Sequence, residues 1–186
     1  MDGESLDRWI ENYVLSDARP SGRPQGSSQS IADLYPDGHD LGPREHPFGA
    51  AYVRRFTTLL IEPPVYLNAM LRDFLLMGGK VVVREFSDVA SVAALPEPVV
   101  VNCTGLGARA LSGDNELMPI KGQLTILLPQ PEVDYIVLTS DLYMFPRRDG
   151  ILLGGTHERG VWTLEPNADA AARILGAHTQ LFNRMR

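Results

Sequence analysis

The chain has 186 residues, 44% of them hydrophobic and 22% charged, enough for one sizeable core or two very small domains. A net charge of −6, with dense basic spots only at Arg54, Arg55 and Arg147, Arg148, argues against a nucleic-acid surface, which needs clustered cations to release counterions. No apolar run is long enough to cross a bilayer, and the acidic start MDGESLDRW is unlike a signal peptide, so a cytoplasmic chain with no membrane partner is expected. The single cysteine, Cys103, excludes an intramolecular disulfide and, after a valine run, reads as a small buried residue. His39, His46, His157 and His178 show no metal-ligand spacing, so no metal site is assigned.

In chain order, residues 5–15 read as a short helix, with Leu6, Trp9, Ile10 and Tyr13 on one side. The stretch from 16 to 48 is rich in Ser, Gly, Pro and turn signals, too long for an ordinary connection, and part of it is expected to be disordered. Residues 56–61 read as a strand. Pro63 and Pro64 then open a helix over 65–77 whose apolar face is Val65, Leu67, Leu71, Phe74 and Leu75. KVVVREF and the run 99–102 read as further strands, so 56–112 predicts parallel strands with the helix packed on them. From Met118 the short runs IKGQLTILL, DYIVLTS, LYMFPRR and GILLGG predict a chiefly antiparallel sheet over 120–154. Ala171, Ile174, Leu175, His178, Leu181 and Phe182 then recur at helical spacing.

The stretch VVVNCTGLGARAL, residues 99–111, carries Gly105, Gly107 and Ala110 at the G-x-G-x-x-A spacing of a dinucleotide loop. The match is weak. The acidic residue expected about twenty positions on is missing, and LSGDNELMP follows too soon for a crossover helix. A small nicotinamide- or nucleotide-dependent reductase would rest on those three residues alone. A tight turn ending a core strand is the plainer reading.

VVVNCTG, followed by PIKGQ and GGTHERGVW and flanked by FTTLLIEPPVYLNAML and YMFP, resembles the D-amino-acid oxidase family of flavoproteins, with the motifs in the family's order. The resemblance runs from about 41 to 182 and reads as the central portion of a family member. The family's strand–G-x-G-x-x-G–helix has no counterpart before Leu41, and its substrate-binding arginine segment would lie beyond Arg186. It implies an α/β (α+β) fold: part of an FAD-binding parallel-sheet domain joined to a mixed or antiparallel substrate-domain sheet. The division expected is 1–48, irregular with one short helix; 49–118, the FAD-binding part; and 119–186, the substrate sheet with its C-terminal helix.

The resemblance also implies FAD as cofactor and a D-amino acid as substrate, oxidised to the imino acid and released as 2-oxo acid and ammonia while O2 becomes H2O2. It places Asn102, Cys103, Thr104 and Gly105 against the flavin nucleotide and Phe86 near its adenine, although a phenylalanine in such a run is more often core than contact. Tyr143 matches the hydroxyl that bonds the substrate carboxylate, and Leu138 and Phe145 match the side-chain pocket. As ordinary strand residues all three would be sheet packing. TSDLY is too short for the family's lid loop, so a reduced lid is implied. The expected protein is a truncated, inactive or weakly active oxidase, peroxisomal if eukaryotic, or alternatively a non-catalytic fragment or binding protein. Association through an exposed sheet face, or a homo-oligomer, is expected to follow.

Overall fold

The computed structural model describes residues 7–18 and 37–186. Most of the Ser/Gly/Pro-rich run expected to be disordered falls at 19–36, outside the described residues, as do positions 1–6. The strands are β1 (Asp7–Ser16), β2 (His39–Leu41), β3 (Tyr52–Ile61), β4 (Ile120–Lys121), β5 (Thr125–Leu127), β6 (Tyr135–Leu138), β7 (Tyr143–Arg147), β8 (Gly150–Gly154) and β9 (Glu158–Arg159). The helices are α1 (Pro63–Leu76), α2 (Val89–Ala93), α3 (Ala108–Ser112) and α4 (Ala168–Phe182), with a 3₁₀ turn at Gly105–Gly107. The fold class is α+β. Two compact units are present: Met1–Leu71, Gly122–Thr156 and Pro166–Arg186 make the first, and Arg72–Lys121 with His157–Glu165 the second.

The first unit is a seven-stranded mixed sheet of order β2-β3-β1-β6-β7-β8-β5. β1 lies antiparallel to β3 along its whole length, from Asp7↔Ile61 to Ser16↔Tyr52, and parallel to β6 from Glu11↔Tyr135 to Val14↔Leu138. The helix expected at 5–15 is therefore a strand wherever the residues are described. Its Trp, Ile, Tyr and Val suit a pleated surface as well as a helical stripe. Strands on both sides satisfy its backbone groups, which decides the matter. Trp9, assigned to the helical stripe, is 62% exposed.

Beyond β6 the sheet is as expected for 120–154: β6–β7, β7–β8 and β5–β8 all pair antiparallel. One face buries Leu15, Val53, Val137, Met144, Ile151 and Leu153 beneath Phe48 and α4, whose Ile174 is 1% exposed. The C-terminal helix forms as its spacing predicts, starting at Asn167, whose side chain accepts from Asp169 N–H at 3.0 Å and Ala170 N–H at 3.1 Å. Its buried stripe is Ala170, Ile174 and His178. The opposite face of the sheet, called the second face below, buries Ile10, Leu60 and Ile136, with Leu138 and Phe145 packed against them.

α1 forms where expected, but Ala69 is its only buried residue among those described. Its apolar face is not packed on parallel strands. The second unit holds α2, α3 and the two-stranded ladder β4–β9; from α3 the Arg109 guanidinium lies 5.3 Å from the Trp162 ring centre and donates to the Leu117 carbonyl at 2.8 Å. The strands expected at KVVVREF and 99–102 do not form. Val83 is 98% exposed and Val99 78%, with no strand beside them among the described residues. Runs apolar on both faces suit central parallel strands, and without neighbours to complete the ladder they stay irregular.

Tyr13 offers a test of the packing on the α4 side. Its hydroxyl donates to Glu11 Oε2 at 2.7 Å, and its ring meets Phe48 at 5.2 Å and Tyr135 at 5.9 Å. Burial, and then the bond to Glu11, push its pKa from 10 to about 12. Between those values the unfolded chain releases the proton and the folded chain keeps it, so stability falls as pH rises. Thermal melts taken up to about pH 12 should show that decline, and Tyr13→Phe should flatten it. An unchanged slope in Tyr13→Phe would remove Tyr13 from that packing.

Candidate functional site

The residues expected on the substrate side do come together, on the second face of the first unit's sheet. Tyr143 and Phe145 alternate along β7 and so share a face, with ring centroids 5.6 Å apart. Leu138 stands directly opposite Tyr143 in the β6–β7 register. Tyr143's partner on the other side is Gly154 of β8. The tyrosine ring lies so close over Gly154 that a Cβ there would run into the ring carbons and the hydroxyl oxygen. Any other residue at 154 would displace the ring. Tyr143 is half-buried, and among the described residues its hydroxyl makes no hydrogen bond.

The link between β6 and β7 is a tight turn over 139–142. The Thr139 hydroxyl accepts from Leu142 N–H at 2.8 Å and Asp141 N–H at 3.1 Å, and Thr139 N–H donates to the Leu142 carbonyl at 2.8 Å. Past Phe145 both arginines of the β7–β8 end are already paired. Arg147 pairs with Asp149, which raises the arginine's pKa and lowers the carboxyl's, chiefly through their hydrogen bonds. Arg148 Nε stands 3.5 Å from the buried Glu62. Neither arginine is a ready counter-charge for a ligand at Tyr143.

The residues expected on the cofactor side fall in the second unit. Asn102, Cys103, Thr104 and Gly105 are neighbours on one exposed loop. Asn102 Oδ1 accepts from both Thr104 N–H at 3.1 Å and the Thr104 hydroxyl at 2.7 Å, an Asx turn. Gly105 follows at φ +57, with nothing within 4 Å of where a Cβ would stand. Cys103 is exposed and not the buried residue its valine neighbours implied, because those valines form no strand to bury it. Phe86 is half-buried, with the Arg84 guanidinium 5.0 Å above its ring centre.

Among the described residues, these five positions do not make a cradle for a dinucleotide. The Thr104 donors are spent on Asn102, and the valine runs around the loop build no sheet whose strand ends could form a crevice. They offer one open loop and one aromatic edge.

A protein-family model for FAD dependent oxidoreductases (DAO) matches residues 2–185. The chain belongs to that family. Among curated DAO relatives, a D-aspartate oxidase of Homo sapiens is 33% identical over 133 residues, 70% of this chain and 37% of the relative. A D-amino-acid oxidase of Rubrobacter xylanophilus is 35% identical over 147 residues, 76% of this chain and 44% of the relative. One of Streptomyces coelicolor is 37% identical over 122 residues, 62% of this chain and 37% of the relative. The chain thus spans less than half the length of these relatives.

The extent of the DAO match corrects one expectation. The resemblance was confined to a central portion beginning near Leu41, whereas the family domain runs from residue 2 to 185. Within that range β1 is a strand between β3 and β6, part of the same sheet as the motif-bearing strands. Gly154 was also missed. Only the cross-strand register shows that it lies beneath Tyr143.

Gly154→Ala should force the Tyr143 ring aside. Overpacking of this kind costs roughly 1–3 kcal/mol, visible as a lower melting temperature together with a changed near-UV tyrosine signal. Replacing Tyr143 by Ala in the same chain should relieve most of that loss. Strictly additive effects of the two substitutions would mean that the ring does not rest on the glycine.

Proposed function

We propose that this protein is a D-amino-acid-oxidising member of the DAO family, with Tyr143 as its substrate-binding hydroxyl. The observation that carries the reading is the placement of Tyr143, Leu138 and Phe145 on one sheet face, the tyrosine ring seated on Gly154 and its hydroxyl unengaged among the described residues. A phenolic O–H can donate to a substrate carboxylate without bringing a second charge. Leu138 and Phe145 would receive the apolar part of the amino acid. In this reading 119–186 is the substrate side, 49–118 the flavin side and 1–48 an N-terminal segment. Phe86 and residues 102–105 would border FAD, whose isoalloxazine supplies the redox chemistry when bound. The names of the relatives, a D-aspartate oxidase and D-amino-acid oxidases, support the substrate class without choosing within it.

Two measurements test this. With FAD supplied in excess, as weak binding requires, Tyr143→Phe removes one hydroxyl donor from the carboxylate and nothing from the cofactor. A hydrogen bond to a charged group is worth roughly 1.5–3 kcal/mol, so the apparent Kd for D-amino acids should rise about 10- to 150-fold with little change in flavin reduction at saturating substrate. Anaerobic stopped-flow reduction measures both. A variant that binds and reduces like the parent would make Tyr143 an ordinary sheet aromatic.

The second measurement is an FAD titration of the 186-residue chain. Binding should be weak, because the donors of Thr104 are already used and nothing in the 102–105 loop neutralises a diphosphate. Stoichiometric, sub-micromolar yellow complex would show that this loop can serve as a cradle after all.

A further inference from the structure

We propose that His178 is a positioning residue for Tyr143, holding its backbone from the opposite side of the sheet. The proposal rests on the reading of Tyr143 as the carboxylate-binding hydroxyl. His178 is 2% exposed and forms part of the buried stripe of α4. Its Nε2 stands 3.2 Å from the Tyr143 carbonyl oxygen on β7, and its Nδ1 stands 2.9 Å from the Ile174 carbonyl one turn earlier. The ring stacks on Phe182 at 6.4 Å.

The two contacts differ in reach. Ile174 lies four residues before His178, so the Nδ1 contact stays within α4. The Tyr143 carbonyl belongs to β7, where Tyr143 pairs with Gly154 of β8, so the Nε2 contact adds a polar tie from helix to strand. The assignment requires a proton on Nε2, in either the neutral ring or the imidazolium.

The tie falls where it has leverage. Tyr143 is the first residue of β7, directly after the 139–142 turn, and strand ends are where pairing loosens first. Gly154 locates the ring on the second face, and His178 fixes the carbonyl on the first. Between them, one residue is held on both sides of the sheet. Beside His178 lies an apolar cavity of about 350 Å³, lined by Tyr135, Met144, Leu153 and Phe182 among others. Truncating the imidazole would open directly onto that space.

The test uses the full chain without ligand. Histidine ¹⁵N spectra of the parent should show His178 Nε2 protonated; an Nδ1–H ring with bare Nε2 overturns the proposal. In 3-fluorotyrosine-labelled protein, the Tyr143 ¹⁹F signal is the one missing from Tyr143→Phe. His178→Ala should shift and broaden that signal, and millimolar imidazole should restore it by entering the enlarged cavity. Toluene, which fills the same space but has no N–H, should not. An unmoved Tyr143 signal in His178→Ala, or restoration by toluene as good as by imidazole, reduces His178 to packing and overturns the assignment. If His178→Ala fails to fold, the parent ¹⁵N spectrum still decides. None of these readouts needs substrate. If Tyr143→Phe binds D-amino acids normally while the His178 results hold, the substrate reading fails and the helix–strand tie remains.

Discussion

The double pairing of β1 is the constraint on which the rest of the sheet depends. Antiparallel to β3 over ten residue pairs and parallel to β6 over four, it joins the N-terminal hairpin strands to the hairpins of 135–154. Side-chain direction alternates along a strand, so a slip of one residue at either seam would exchange the two faces. The actual register sends Ile10 to the second face with Leu60 and Ile136, and Leu15 to the α4 face with Val53 and Val137. It also sends Asn12 inward, 2% exposed, with its Oδ1 unpartnered among the described residues. An orphaned buried acceptor costs about 1–3 kcal/mol. Ten residue pairs to β3 and four to β6 hold the strand in place around it.

That register carries the candidate site with it. Tyr143 reaches the second face because Leu138 opposes it and β6 is fixed against β1. α4 closes the other face, with Ile174 and His178 sealed against β7 and β8. One face of the sheet is thereby committed to a helix. The other keeps the Tyr143 hydroxyl, which has no hydrogen bond among the described residues. Such division of labour is what a ligand-binding sheet needs: rigidity from one side and an unfilled donor on the other.

Some of this was legible in the sequence, for physical reasons that differ by element. The strands of 125–154 are short apolar runs cut by Asp, Pro and Gly, a local signal that survives folding. α4 has both a helical stripe and an Asn at its start. β1 did not read correctly, because Trp9, Ile10 and Tyr13 fit either period and the deciding fact is the presence of strands on both sides. In the site, Tyr143 and Phe145 shared a face by alternation alone. Gly154 under the ring and His178 at the carbonyl come from register and helix docking, which no local pattern carries.

The second unit shows the same contrast in reverse. The runs 81–83 and 99–101 have the two-sided apolar pattern of central parallel strands, yet Val83 and Val99 stand in solvent. Their structure is nonlocal: a strand without a neighbour has no ladder to gain and no face to bury. The loop that follows Val101 depends on nothing distant. Asn102 shapes it through Thr104, and Gly105 completes it with a positive φ, all within four residues of sequence. The loop is formed here although the run before it is no strand. The Thr104 donors are therefore set by Asn102 first, and a nucleotide approaching this loop must compete with that side chain for them. The placement of Tyr143, by contrast, is decided by its neighbours on β6, β8 and α4, so only the folded sheet presents its hydroxyl.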